Sequence, residues 1–252
     1  MPNPLFKIRH LTKSYGDRTV IEDVSFDILE GESFVILGRS GTGKSVTLRQ
    51  LNGLEKPDAG FVEFDGVNIS TLSEQQLYPI RKRIGMLFQG GALFDSLDVY
   101  ENIAFPLREH TDLDEEAIAA TVEDRLAMVR LHGIERLPPS SLSGGMKKRV
   151  ALARSLALKP QVMLFDEPTT GLDPMTSASI GELIRGAQRT LGVTSVIVTH
   201  DLPLTHKVAD RIAFLDGGRF RFTGSLDEAL EADDPLLRAF LEGREEEEAD
   251  VA

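Results

Sequence analysis

The sequence predicts an α/β fold with an antiparallel β region at its start and a helical insert in its core. Three observations carry that expectation. Short, almost wholly apolar runs recur at residues 33–37, 162–165 and 195–199, the pattern of strands buried on both faces of a sheet. The first ~35 residues instead alternate apolar and polar side chains, as half-buried strands do. From residue 95 to the pair Pro138-Pro139 the periodicity is helical.

Each element has its own local reason. Phe6 and Ile8 alternate with Lys7 and Arg9, and Val24, Phe26 and Ile28 with Ser25 and Asp27, around a turn at Tyr15-Gly16-Asp17. The apolar strand 33–37 leads through a glycine-rich loop to a helix over 46–51. Residues 60–66 form a short alternating strand ended by a turn. Residues 72–83 mix polar and apolar positions as a helix that Pro79 should break. An apolar strand over 84–88 ends at Gln89, and Gly90-Gly91-Ala92-Leu93-Phe94 is a small-residue, apolar loop. In the second of the helices that follow, Ile118, Val122, Leu126 and Val129 make one apolar face. Asp112, Asp114, Glu115 and Glu116 sit at its start, where the helix dipole favours acid.

A helix from about Gly144 to about Leu158 leads back to the core. A helix near 176–191 follows the 162–165 strand, and residues 212–222 form a hairpin turning at Asp216-Gly217-Gly218. Near the end, Glu245-Glu246-Glu247-Glu248 is a like-charge run expected to stay solvated.

Composition excludes several classes of chemistry. The 252 residues are 41% hydrophobic and 27% charged, as in ordinary globular proteins. The chain has no cysteine, so disulfides, thiolate metal sites and a Cys nucleophile are excluded together. No run approaches the 18 or so apolar residues of a membrane span, and the first residues lack the apolar core of a signal peptide. A cytosolic chain is the expectation. The formal net charge of −12 argues against a broad nucleic-acid surface, which needs clustered Lys and Arg.

The chemistry is concentrated in three stretches. Gly38-Arg39-Ser40-Gly41-Thr42-Gly43-Lys44-Ser45 fits G-x-x-x-x-G-K-[ST], the phosphate-binding P-loop. Its glycines let successive N–H groups point at an anion, Lys44 supplies charge for the β/γ-phosphates, and Ser45 a hydroxyl for Mg²⁺. The following helix, from Val46, turns its positive end to the phosphate. Asp166-Glu167 closes an apolar strand about 120 residues later. There Asp166 can hold the Mg²⁺ shell opposite Ser45, and Glu167 can polarise a water for in-line attack. Leu142-Ser143-Gly144-Gly145 opens a helix as a second anion-binding N-terminus, with Ser143 as an added hydroxyl donor. Taken alone, Tyr15 favours a half-buried turn aromatic over a ring stacked on a nucleotide base. A lone His200 at a strand end is more often structural.

With these motifs in this order, the chain resembles the ABC-type ATPases, the nucleotide-binding subunits of ATP-binding-cassette transporters. The resemblance covers about residues 5–230, with Met146 standing where the family's signature usually has Gln. It implies a P-loop NTPase fold with a RecA-like core. One ATPase domain would span 1–232: β subdomain and P-loop core over about 1–89, helical subdomain over about 90–155, core again over 156–232. A C-terminal helix and acidic tail would occupy 233–252. It further implies that residues 38–45, with Val46, are Walker A, Gln89 the Q-loop residue on the metal side, Asp166 the Walker B carboxylate and Glu167 the catalytic base. Gly171-Leu172-Asp173-Pro174 becomes the D-loop, with Asp173 at the nucleotide. His200 becomes the switch histidine at the γ-phosphate, and Tyr15 the base-stacking aromatic. His10, His110, His132 and His206 match no motif.

The resemblance also implies ATP and Mg²⁺, and a second copy of the chain bound head to tail. Ser143, Gly144 and Gly145 of one copy would then complete the nucleotide site of the other. An integral membrane permease would sit at the cytoplasmic face of the membrane, met by the 89–94 loop. The stretches 86–97 and 99–110 are similar to the branch serving phospholipid and hydrophobic-compound transport beside Mce-domain proteins, the Mla-type systems. That branch often works with a small STAS-domain regulator, so both proteins are candidate partners. Two alternatives stand beside it: another cargo such as an amino acid or a drug, and a soluble ABC ATPase acting on nucleic acid or ribosomes. The single cassette, the lack of a long heptad segment and the acidic balance weigh against the soluble ATPase.

Overall fold

The computed structural model describes residues 4–243. Strands β1 (Pro4–Tyr15) and β2 (Arg18–Leu29) form a long antiparallel hairpin with Gly16 at φ 58° in its turn. β3 (Ser33–Leu37) enters the core, buried at every position, and runs through the P-loop into helix α1 (Lys44–Leu51). β4 (Ala59–Phe64) and β5 (Val67–Asn68) return to the hairpin and complete a four-stranded sheet of order β2-β1-β4-β5. Its alternation is as predicted: Phe6, Ile8, Val24, Phe26, Ile28, Val62 and Phe64 all point inward.

After α2 (Glu74–Arg81) come β6 (Ile84–Leu87), α3 (Val99–His110), α4 (Glu115–Met128) and α5 (Gly144–Ser155). The remainder alternates: β7 (Val162–Asp166), α6 (Pro174–Leu191), β8 (Thr194–Thr199), α7 (Leu202–Val208), β9 (Arg211–Asp216), β10 (Arg219–Gly224), α8 (Leu226–Glu231) and α9 (Pro235–Leu241). The second sheet has the order β10-β9-β3-β8-β7-β6, parallel throughout except for the edge strand β10.

That sheet is buried on both faces, which is why its strands read as continuous apolar runs. Val35, Leu37, Met163, Phe165 and Ile197 face one way, toward the apolar sides of α3, α4, α5 and α6. Phe34, Ile36, Leu164, Val196 and Val198 face the other, toward the four-stranded sheet. Phe26 of β2 stacks on Phe34 of β3 at 5.4 Å between ring centroids, a contact worth about 1 kcal/mol beyond area burial that ties the two sheets together.

One expectation needs correction, and two helices went unanticipated. Pro79 does not break its helix; it lies inside α2, near the C-terminal end of a helix that runs only over Glu74–Arg81. A proline costs one intrahelical bond there, and a capping box between Ser73 and Gln76 secures the other end. α7 and α8 carry no sequence expectation at all. With seven and six residues they are too short for a periodicity, and they are marked mainly by their caps, Asp201 and Ser225. Among the described residues no helix is long and apolar enough to cross a membrane. The acidic run 245–248 lies outside the described residues.

Candidate functional site

The parallel register brings three strand ends together. Leu37 of β3 pairs with Thr199 of β8, and Val198 of β8 with Asp166 of β7. The P-loop, His200 and the Asp166-Glu167 pair therefore emerge side by side at the carboxyl edge of the sheet, where ligands of open α/β sheets bind.

The loop's shape depends on glycine at two positions. Gly43 sits at φ 105°, and a Cβ there would stand 2.6 Å from Ile21 Cδ1 and 2.9 Å from the Val20 carbonyl oxygen. A Cβ on Gly38 would meet the Leu215 carbonyl oxygen at 2.4 Å. Lys44, 5% exposed, donates to the carbonyl oxygens of Gly38 at 2.8 Å and Arg39 at 2.9 Å. Its Nζ also lies 3.3 Å from Glu167 Oε1. Burial pushes the Lys44 ammonium below its ordinary range, and the Glu167 and Asp166 carboxylates oppose that.

The acidic pair divides its contacts. Asp166 accepts from Ser45 Oγ at 2.6 Å. Glu167 sits at a positive φ of 47°, anchored by its own N–H on the Val198 carbonyl at 3.0 Å. Its carboxylate accepts from Thr170 at 3.2 Å and Thr199 at 3.4 Å, and faces His200 Nδ1 at 3.0 Å. A non-glycine residue in the left-handed region costs energy, here spent to aim a carboxylate back over the P-loop.

A cavity of about 410 Å³ opens over these groups. Of the predicted residues, Ser40, Gly41, Gly43, Lys44, Ser45, Val46, Gln89, Glu167 and His200 line it. Val20 and Thr170 line it as well and were not anticipated; Thr170 carries a signal, as a hydroxyl three residues past Glu167. Gly38, Arg39 and Thr42 build the loop beneath, where Thr42 Oγ1 donates to the Arg39 carbonyl at 2.9 Å.

Ser45, Asp166 and Gln89 are the residues from which a small hard cation would draw protein ligands. They offer a hydroxyl, a carboxylate and an amide as oxygen donors; Ser45 and Gln89 line the cavity, and Asp166 reaches it through its bond to Ser45. Among the described residues no group of three or more His, Cys, Asp or Glu could hold a metal. A sparse donor set of this kind suits Mg²⁺, which keeps waters and phosphate oxygens in its shell.

The other predicted residues lie apart. Tyr15 ends β1 with its ring half exposed, its hydroxyl donating to the Glu55 carboxylate and Lys13 Nζ 5.5 Å from its ring centroid. Ser143 caps α5, accepting from Met146 N at 3.3 Å. Asp173 caps α6, accepting from the N–H groups of Met175 and Thr176 at 3.0 Å and from Thr176 Oγ1 at 2.6 Å. Those bonds, the Thr176 hydroxyl first, hold the Asp173 carboxyl below the usual carboxylate range. The two caps are neighbours: a Cβ on Gly145 would stand 2.6 Å from Thr176 Cγ2. Gly144 opens the same helix beside Leu172.

Because β8 lies between β3 and β7, one histidine reaches the acid that also touches the P-loop lysine, and this arrangement defines a P-loop nucleotide hydrolase. The family model described as ABC transporter matches residues 21–170, and the chain belongs to that family as an ATP-hydrolysing, ATP-binding subunit. It is 44% identical over 238 residues to the probable ribonucleotide transport ATP-binding protein mkl of Mycobacterium leprae, covering 94% of this chain and 69% of that one. It is 42% identical over 240 residues to the intermembrane phospholipid transport system ATP-binding protein MlaF of Escherichia coli K12, covering 95% and 89%. Among solved structures, the ATP-binding cassette MJ0796, a dimer in a post-hydrolysis state bound to ADP and Pi, superposes with a TM-score of 0.81 at 33% identity. That match covers 88% of this chain and 98% of that one.

Proposed function

We propose that this chain binds ATP with Mg²⁺, pairs head to tail with a second copy around two ATP molecules, and drives an integral membrane permease from the cytoplasmic face of a membrane. The cargo we favour is phospholipid or another hydrophobic compound. The observation that carries the catalytic part is the placement of Glu167, 3.3 Å from Lys44 and 3.0 Å from His200 in one cavity.

In this reading the P-loop N–H groups and Lys44 bind the β- and γ-phosphates. Ser45, Asp166 and Gln89 would hold Mg²⁺, which would supply charge neutralisation at the phosphate oxygens. Glu167 accepts the proton of the attacking water, and Thr170 and Thr199 keep its carboxylate aimed. His200 hydrogen-bonds a γ-phosphate oxygen and responds to its loss. Tyr15 stacks on the base from the end of β1. Ser143, Gly144, Gly145 and Asp173 lie outside their own chain's cavity, at two helix starts packed against each other, which suits groups that serve a second copy.

The permease reading draws on exposed apolar side chains around the 89–94 loop, where Phe88, Phe94 and Phe105 are each about 40% exposed. The phospholipid reading draws on MlaF, whose length this chain covers to 89%, against 69% for mkl, a probable ribonucleotide transport protein. An Mce-domain protein and a STAS-domain regulator are candidate partners on the branch resemblance alone. The net charge of −12 favours no nucleic-acid partner. Purifying the chain from its native membrane and identifying what travels with it tests these points. A permease with an Mce-domain protein, and ATPase stimulation by phospholipid rather than ribonucleotide, is the expected result. Co-purifying ribosomes or nucleic acid would overturn it.

A further inference from the structure

Gln89 belongs to the cavity, yet it follows β6 on a stretch that has no helix or strand before α3. Two basic side chains of α5 hold that stretch. Lys148, 6% exposed, donates to the Gln89 carbonyl. Arg154, further along α5, donates from Nη2 to the Gly91 carbonyl at 3.0 Å and lies 5.5 Å from the Phe94 ring centroid. Between them Gly91 passes so close that a Cβ would stand 3.4 Å from Ala151 Cβ. The far side of the loop is fastened to α3 instead, where Asn102 accepts from Phe94 N at 2.8 Å and donates to the Phe94 and Leu97 carbonyls at 3.1 Å.

Packing alone does not call for a charge at 148. A methionine would fill the same space without the cost of burying an ammonium. The cation sits where its donor grips the backbone of a cavity residue and where the Asp166 and Glu167 carboxylates favour its charge. α5 is also the helix that Ser143 caps, and Lys148 lies about 7.5 Å further along its axis at 1.5 Å per residue.

We propose that Lys148 is a positioning residue which, with Arg154, clamps the 89–94 loop to α5, so that whatever docks on Ser143 resets Gln89 in this chain's own cavity. The inference rests on the two-copy reading above. A second copy's ATP at Ser143 would move the start of α5, and the clamp would carry that shift to the metal side of the first copy's site. The two sites of a pair would then be coupled through one rigid helix in each chain.

The test compares the full chain with Lys148→Met, Lys148→Arg and Arg154→Gln. It reads ATP binding, ATPase rate against ATP and Mg²⁺, and amide hydrogen exchange of residues 88–94 with and without Mg²⁺ and ATP. Lys148→Met should keep ATP binding within about twofold while kcat falls about 100-fold, the scale of a misplaced catalytic group. Its Hill coefficient should drop toward 1, its Mg²⁺ requirement should rise, and exchange at 88–94 should no longer respond to ATP. Lys148→Arg should restore most of the rate. A Lys148→Met chain with normal kcat, cooperativity and exchange response overturns the proposal, as does equal loss in Lys148→Arg. If Lys148→Met does not fold, Arg154→Gln must lose the exchange response, and a normal response there is equally fatal. A wild type that hydrolyses ATP without pairing sinks the two-copy reading instead. The clamp then stands or falls on the Mg²⁺ requirement and loop exchange of Lys148→Met.

Discussion

Replacing Glu167 by Gln separates two roles of one carboxylate. The residue is 8% exposed, and the substitution keeps its volume and an acceptor oxygen for Thr170, Thr199 and His200. It removes the proton acceptor and the charge 3.3 Å from Lys44. Loss of a general base lowers turnover by about 10²-fold or more. The charge has a second effect. At 3.3 Å and an effective dielectric near 20, the Lys44 attraction is about 5 kcal/mol gross, of which desolvation leaves only a part. A carboxylate so placed competes with phosphate for Lys44 and repels it. ATP should therefore bind Glu167→Gln at least about tenfold more tightly, which is about 1.4 kcal/mol. Fluorescent-nucleotide titration and single-turnover hydrolysis read the two quantities. Hydrolysis at the wild-type rate would remove Glu167 as the base, and unchanged ATP affinity would refute the competition for Lys44.

Lys44→Ala should abolish ATP binding or hydrolysis in the same titration, since it removes the cation of the phosphate cradle. Ser143→Arg should block ATP-dependent pairing while leaving ATP binding to the isolated chain intact; equal pairing by light scattering contradicts the composite site. Gly43→Ala should destabilise the chain by about 1–3 kcal/mol in urea melts, because a Cβ at φ 105° collides with Val20 and Ile21. Asp210→Asn should destabilise by about 1–2 kcal/mol at pH 7, since the carboxylate accepts from Ser33 N, Arg185 and Gln188. Burial works against the Asp210 charge, but the Arg185 and Ser33 hydrogen bonds hold its folded pKa below 3.8. That stability is present above 3.8 and lost as pH falls through the folded value, so variant and wild type should converge in melts at low pH.

The sequence by itself determined the parts whose chemistry is local. The P-loop glycines, Lys44 and Ser45 are fixed by what a phosphate requires of a backbone within eight residues. The strands 33–37, 162–165 and 195–199 were legible because burial on both faces leaves an unbroken apolar run. The long hairpin was legible because burial on one face leaves an alternation. Pro79 misled, since local propensity does not see that a helix can hold a proline near its end. Thr170 and Val20 escaped because their relevance comes from neighbours across the sheet rather than along the chain.

Only the tertiary structure decided how these pieces meet. The order β3-β8-β7, which no spacing encodes, places His200 between the P-loop and Glu167. The same packing turns Ser143 and Asp173 away from their own cavity and against each other, and lets Lys148 grip the Gln89 backbone 59 residues away in sequence. The reason is physical. A phosphate loop is specified by backbone conformations that a few residues set. A catalytic constellation is specified by distances between strand ends, and those exist only once the sheet has formed.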